Sequence, residues 1–301
     1  MNGILNLNKD EGMTSFLAVK LCRGIFKTKK AGHAGTLDPL ATGVLPIFIG
    51  NACGAASYFL AEKKTYRATF RVGIATDTED VTGTVTDTSS VRPSLSAWQD
   101  ALKPFLGKSL QVPPMYSALK KDGRPLYELA RRGESVEREA REIEVFELSL
   151  EEGEEEDTFV LCATGSGGTY IRTLICDVAR RAGTLATMTS LCRTRHHEFD
   201  IQHSVTLSEI REMLERGEDL SRLLFPVEEA FSDFPEIRLP AFYEKLMKNG
   251  CEIYASRARV GRELALGERV RVLSEDGTFF ALAEKRQFPE GEAFKALKLF
   301  L

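Results

Sequence analysis

The chain predicts an α+β fold in two units, and three observations carry the prediction. Residues 65–73 alternate with period two, Tyr66, Ala68, Phe70 and Val72 on one face against Arg67, Thr69 and Arg71 on the other, as in a strand with one buried side. Segments 15–26, 170–182 and 206–216 read as helices. A composition shift marked by Pro226, Pro235 and Pro240 separates a body ending near residue 235 from a short, β-rich C-terminal module.

Taken in order, Gly3 to Asn8 alternate as a short strand, and the helix over Ser15 to Phe26 has Thr14 or Ser15 as its cap. A loop rich in Gly and Lys follows. The apolar run Val44 to Ile49 contains Pro46, which brings no ladder donor, so it is read as an edge strand or a buried turn. The polar stretch Thr76 to Ser90 suggests a loop and hairpin. Leu95 to Leu106 reads as a helix weakened by Pro104, and Lys120 to Arg141 as a helix and turn projecting from the body. Ile143 to Leu150 and Thr158 to Ala163 are strands joined across an acidic turn, and Tyr170 to Ala182 is helical up to Gly183. Thr206 and Glu209 form a capping box. In the module, a helix from Pro240 to Asn249 ends at Gly250, and two strands flank Asp276-Gly277, a strong hairpin signal.

The 301 residues, 43% hydrophobic, exclude a disordered, collagenous or coiled-coil protein. A formal net charge of -4 counts at first against a nucleic-acid binder. The distribution reverses that inference. Nine acids and no bases lie between Glu142 and Asp157, which leaves 35 acids against 40 basic residues elsewhere. The bases gather in three clusters: Lys20, Arg23, Lys27, Lys29 and Lys30; Lys120, Lys121, Arg124, Arg131 and Arg132; and Arg180, Arg181, Arg193 and Arg195. Each alone is more often a solvated face than an RNA site, and His196 and His197 are read as solvated or RNA-facing. The six cysteines include no CxxC pair, which excludes a zinc ribbon or a redox motif and fits a reducing cytosol. The N-terminus lacks a basic region followed by a long apolar stretch, so a soluble cytoplasmic protein is expected.

The densest local signal is Gly32-His33-Ala34-Gly35-Thr36-Leu37-Asp38-Pro39-Leu40-Ala41-Thr42-Gly43. Three glycines and a proline force a compact turn around one carboxylate, and Pro39 holds Asp38 extended. Spacing alone favours an Asx-turn in a surface loop over a catalytic site. Tyr66 is equally a core tyrosine, and His33 a lone loop histidine with no second histidine nearby for a metal.

Four ordered motifs shift that balance. GHAGTLDPLATGVLPI from residue 32, KTYRATFRVG at 64–73, VPPMYSALKKDGRPLYELAR at 112–131 and GTYIRTL at 168–174 together resemble the bacterial TruB family of tRNA pseudouridine synthases, over residues 3 to about 230. The resemblance implies a catalytic domain over 1–235, with a central mixed or antiparallel sheet flanked by helices and loops and an RNA-contacting insertion at about 112–141. It implies, more weakly, a PUA-like RNA-binding domain over 236–301. By position, Asp38 matches the family's nucleophile, Tyr66 the tyrosine stacked on the target base, and Arg172 the arginine paired with the catalytic carboxylate. His33, Tyr170, Leu191 and Lys9 match substrate-binding positions. Ala179-Arg180 departs from a pattern that often has glycine there, which touches helix packing rather than chemistry.

The reaction so implied is an isomerisation of uridine 55 in the T loop of tRNA. The base is flipped out, the bond from C1′ to N1 breaks and C1′ joins C5, with no cofactor and no metal. A carboxylate serves either by attacking C1′ or by taking the C2′ proton, and each route needs it ionised. Burial would raise its pKa unless a fixed cation opposed it, and Arg172 suits that part. The expected partner is the T-arm and elbow of tRNA, with no membrane and no obligate protein partner, the chain acting as a monomer. Two other readings stay open: a non-catalytic tRNA-folding factor, and a guide-dependent synthase acting on ribosomal RNA.

Overall fold

The period-two segments of the body become strands of one large sheet. In the computed structural model, which describes residues 1–301, β1 (Gly3–Lys9) leads through α1 (Ser15–Ile25) to β2 (Ala31–His33), β3 (Thr42–Ile49) and β4 (Lys64–Val72). Then come α2 (Leu95–Leu102), β5 (Gly107–Gln111), β6 (Arg141–Glu152), β7 (Thr158–Gly165), α3 (Ile171–Arg181), β8 (Ala186–His196) and α4 (Leu207–Glu215). The long strands lie in the order β1-β3-β8-β4-β7-β6-β5 within an eleven-stranded sheet. All these neighbours are antiparallel except β3 and β8, which run parallel through Thr42 and Gly43.

Local chemistry sets the helix limits. The Thr14 side chain accepts the Leu17 N–H, so Thr14 is the cap of α1. Pro104 ends α2 at Leu102 and leaves a 3-10 turn over Lys103–Phe105. Thr206 and Glu209 close a reciprocal capping box at the start of α4. Helices α1, α2 and α3 bury their apolar faces on the sheet, with Trp98 of α2 fully buried and its ring 5.4 Å from that of Phe70 on β4.

Two expectations change, and one strand is not foreseen. The run Val44 to Ile49 is neither an edge strand nor a turn: β3 pairs along its length with β1, and on its other side with β8 at one end and β2 at the other. Pro46 falls in the gap between those two partners. Its carbonyl accepts the Ala34 N–H at 3.4 Å, so no ladder donor is missed. The segment 120–141 holds only a two-residue hairpin and a five-residue helix, Leu126–Ala130. Strand β8, near the centre of the sheet, escaped the hydrophobic pattern because Thr187, Arg193 and His196 are fully buried on it and two register shifts break its alternation.

The C-terminal residues form a second, six-stranded sheet with its own core. It contains β9 (Glu236–Arg238), β10 (Arg269–Leu273), β11 (Phe279–Phe288) and β12 (Gly291–Leu299), with α5 (Ala241–Lys248) between β9 and β10. At the β10–β11 turn Gly277 has φ +89°, and the Asp276 carboxylate accepts the Thr278 N–H at 3.0 Å. The two sheets share a third cluster centred on Phe231, whose ring lies 5.5 Å from Tyr58 of the body and 6.0 Å from Phe300 of the module. No helix is long and apolar enough to cross a membrane.

Replacing Phe231 by alanine removes a ring that both sheets pack on, at an expected cost of about 3–5 kcal/mol. Urea unfolding followed by fluorescence and circular dichroism checks this. One cooperative transition at lower midpoint is expected, whereas an unchanged midpoint would mean that the shared cluster carries no stability.

Candidate active site

The Asp38 loop bridges β2 and β3 and is pinned from beneath. The buried Ser15 hydroxyl accepts the Leu37 N–H at 2.9 Å and donates to the Leu37 carbonyl at 3.0 Å. The Gly12 N–H donates to the Pro39 carbonyl at 2.8 Å. Lys9, only 1% exposed, donates its ammonium to the carbonyls of Asp10, Met13 and Pro39 at 2.9, 2.7 and 3.4 Å. Burial pushes its pKa down to about 8, against the opposing charges of Asp10 and Asp38.

Held this way, Asp38 presents its carboxylate to α3. Oδ2 lies 3.0 Å from Nε of Arg172, the second residue of that helix. Arg172 is fixed in turn: Nη1 donates to the Thr78 carbonyl at 2.6 Å and Nη2 to the Tyr116 carbonyl at 2.8 Å. Nη1 also lies 3.6 Å from the buried carboxylate of Asp80. Asp80 accepts from the Thr82 N–H at 3.0 Å and from the Thr78 hydroxyl at 2.9 Å. One guanidinium thus joins two carboxylates and two distant loops. Burial drives the Asp38 pKa up, Arg172 opposes it, Asp80 adds to it, and the net direction is upward.

The pair opens into a pocket of about 460 Å³, within the usual range for small-ligand sites, roughly 300–1,000 Å³. Tyr66 of β4, Leu191 of β8 and Tyr170 just before α3 supply its aromatic and aliphatic walls. The Tyr170 backbone is clamped by Gln111, whose side chain both accepts its N–H at 2.8 Å and donates to its carbonyl at 3.0 Å. A fixed, half-exposed carboxylate beside a permanent cation, facing two aromatic rings, is suited to attack on, or proton abstraction from, a flat polar ligand.

Of the residues picked from sequence, Asp38, Tyr66, Tyr170, Arg172 and Leu191 meet at this pocket; His33 and Lys9 do not line it. His33 ends β2, two residues before the pocket wall at Gly35, with Nδ1 buried and unpartnered. Burial and then Arg193 lower its pKa. Lys9 stays under the loop. Sequence reasoning missed Asp80, Lys64 and Arg193. Asp80 lay in a stretch read as a polar loop and hairpin, Arg193 had been grouped by charge rather than by strand face, and Lys64 was noted only as the first residue of the 64–73 motif.

The charged surface follows the sequence with two corrections. The first two basic clusters are exposed, but in the third Arg193 is fully buried, and Arg180 pairs with Asp177 at 2.5 Å. His196 is not solvated: it is fully buried, with Nε2 donating to the Phe59 carbonyl at 2.9 Å. The acidic stretch is partly neutralised by Arg71 on Glu155 at 2.6 Å and Arg92 on Asp157 at 2.7 Å.

Burial first, then Arg193 and Lys64, push the His196 pKa from 6.5 down to about 2. Below about pH 6.5 the unfolded chain therefore binds a proton that the folded one refuses, and stability falls with acid by up to ~1.4 kcal/mol per pH unit. His196→Gln keeps a donor for Phe59 without titrating. Unfolding free energies of both proteins between pH 7 and 5 should show a shallower fall in the variant; parallel curves would refute a buried neutral histidine.

The model of the TruB family pseudouridylate synthase N-terminal domain matches residues 23–171, and that of the tRNA pseudouridylate synthase B C-terminal domain matches residues 172–232. The tRNA pseudouridine synthase B of Oceanobacillus iheyensis is 42% identical over 260 residues, covering 85% of this chain and 86% of that protein. The enzyme of the same name from Clostridium perfringens is 36% identical, covering 100% and 99%. The one from Neisseria meningitidis is 39% identical, covering 99% and 94%. Among solved structures, a Cbf5-Nop10-Gar1 complex and an H/ACA RNP bound to a substrate RNA containing 2′-deoxyuridine share the fold. Their TM-scores are 0.75 and 0.74, at 24% and 22% identity, each alignment covering 99% of this chain and 85% of that one. Both halves of the body match one family, and full-length relatives match well beyond the level at which folds alone are shared: the chain belongs to the TruB family of pseudouridylate synthases.

Proposed function

We propose that the protein isomerises a uridine of tRNA, position 55 of the T loop, to pseudouridine. The observation that carries this is the Asp38–Arg172 pair at 3.0 Å inside a pocket walled by Tyr66 and Tyr170, in a chain of this family. The target base leaves its stack and enters the pocket, where Tyr66 stacks on it and Tyr170 and Leu191 close the sides. Asp38 then attacks C1′ or takes the C2′ proton, while Arg172 keeps it ionised. His33, beside the loop, contacts RNA next to the flipped nucleotide. Lys9 acts through Asp38 by fixing its loop. The reaction needs neither cofactor nor metal.

The exposed clusters around Lys20–Lys30 and Lys120–Arg132 take the phosphates of the T-arm, and residues 236–301 act as a PUA-like RNA-binding domain beside a catalytic domain over 1–235. The protein works as a cytoplasmic monomer. Relatives at 36–42% identity named tRNA pseudouridine synthase B, against 22–24% for the RNP assemblies, support this stand-alone reading over a guided one.

Asp38→Asn should lower pseudouridine formation on unmodified tRNA to below about 10⁻³ of wild type, with tRNA binding within a few-fold; turnover retained by the variant would remove Asp38 from the chemistry. Because the carboxylate must be ionised and burial raises its pKa, kcat/KM should fall as pH drops through that raised value. Removing the opposing cation in Arg172→Gln should move the acid limb to still higher pH. A pH–rate profile that keeps its limb in the variant would disprove the electrostatic coupling.

A further inference from the structure

Two cations in the pocket wall have no use in the mechanism so far. Arg193, fully buried, donates Nε to the Val44 carbonyl at 2.7 Å and Nη2 to the Gly35 carbonyl at 2.9 Å. Lys64, 5% exposed, donates to the carbonyls of Leu60 and Glu62 at 3.0 and 2.8 Å. Both line the pocket, and neither has a carboxylate partner, whereas Arg172, which lines it too, has two. A buried cation with only neutral partners costs stability. Burial, then repulsion from Arg193, lowers the Lys64 pKa to about 8. The fold keeps space over both: a Cβ at Gly35 would lie 3.0 Å from Lys64 Cε and 3.2 Å from Arg193 Nη1, and Gly35 itself has φ +68°. Arg193 also stands directly across from Tyr66 in the β8–β4 register, on the wall where the base is proposed to stack.

We propose that Arg193 and Lys64 form an anion-stabilising wall for the uracil as it departs from C1′. The inference rests on the function proposed above and follows from its charge balance. When the C1′–N1 bond breaks, its electron pair stays on the base. If Asp38 bonds to C1′, the carboxylate loses its charge to an ester; if it takes the C2′ proton, it loses its charge to an acid. Either way one negative charge leaves the Asp38–Arg172 side and appears on N1 and the carbonyl oxygens of the base. It returns when C5 joins C1′, Asp38 is regenerated, the C5 proton is released and N1 ends protonated. A desolvated anion in the pocket needs fixed positive charge that is not already paired, as that of Arg172 is, and Arg193 and Lys64 supply it without reorganisation.

The test is a single-turnover measurement of C1′–N1 cleavage on tRNA carrying uridine or 5-fluorouridine at the target position, read as loss of the starting nucleoside after nuclease digestion. 5-Fluorouracil is the more acidic base and its anion needs less help. Lys64→Gln and Arg193→Gln should each slow uridine cleavage about 10²-fold, the loss seen when one anion-stabilising donor is removed. The same variants should slow 5-fluorouridine at least tenfold less, with tRNA affinity unchanged. Arg193→Lys, which keeps the charge, should recover part of the rate. Equal losses on both substrates, or losses matched by weaker tRNA binding, would overturn the assignment and leave a scaffold or phosphate contact in its place. If Arg193→Gln fails to fold, Lys64→Gln decides the matter. A wild-type protein that makes no pseudouridine would instead sink the function itself, so the two failures are separable.

Discussion

The contact between Arg172 and Asp38 is the constraint on which the rest depends. It draws the second residue of α3 to a loop 134 positions earlier in the chain, and the same guanidinium gathers the loops at Thr78 and Tyr116. Any error in the β4–β8 register or in the seating of α3 would displace it. The pinning of the loop by Ser15, Gly12 and Lys9 serves the same end from the other side. A carboxylate proposed to react needs this much support, because small misplacements cost much of the rate.

The site is also electrically uneven. One wall carries a cation matched by two carboxylates, and the other carries cations matched only by carbonyl dipoles. An empty pocket of this kind stores unfavourable energy that an incoming anionic charge relieves. On the proposed reading, stability is given up locally so that the field is already in place when charge moves. The surplus of acid on β6 and its turn lies elsewhere, partly neutralised by arginines of β4 and of the segment before α2.

Much of this was legible in the sequence because hydrophobic period and turn chemistry are local. The alternation at 65–73, the capping box at Thr206 and the Asp276-Gly277 turn all report on their own neighbours. The Asp38 loop was legible as a rigid turn, but only its resemblance to a family raised it above a surface Asx-turn. What stayed hidden was set at long range. Strand β8 hides because its buried residues at 187, 193 and 196 are polar, each bonded to a partner far away in sequence. Pro46 looked like a strand breaker because nothing local says that the sheet has a gap beside it. Asp80 could be found only once Arg172 had been placed.

That gap in the sheet has a consequence for how the chain can change over time. Between β2 and β8 the edge of β3 turned away from β1 has no neighbouring strand, and the Arg193 side chain reaches the Val44 carbonyl there, acting as a rung of the ladder. The residue thereby has two duties at once, completing a hydrogen-bond ladder and, on the proposal above, facing the departing base. Drift at this position is closed unless a second change at Gly35 or beside Val44 satisfies the freed carbonyls first. Routes to a new substrate on this scaffold are therefore easier through the peripheral segments that meet the RNA than through the floor of the pocket.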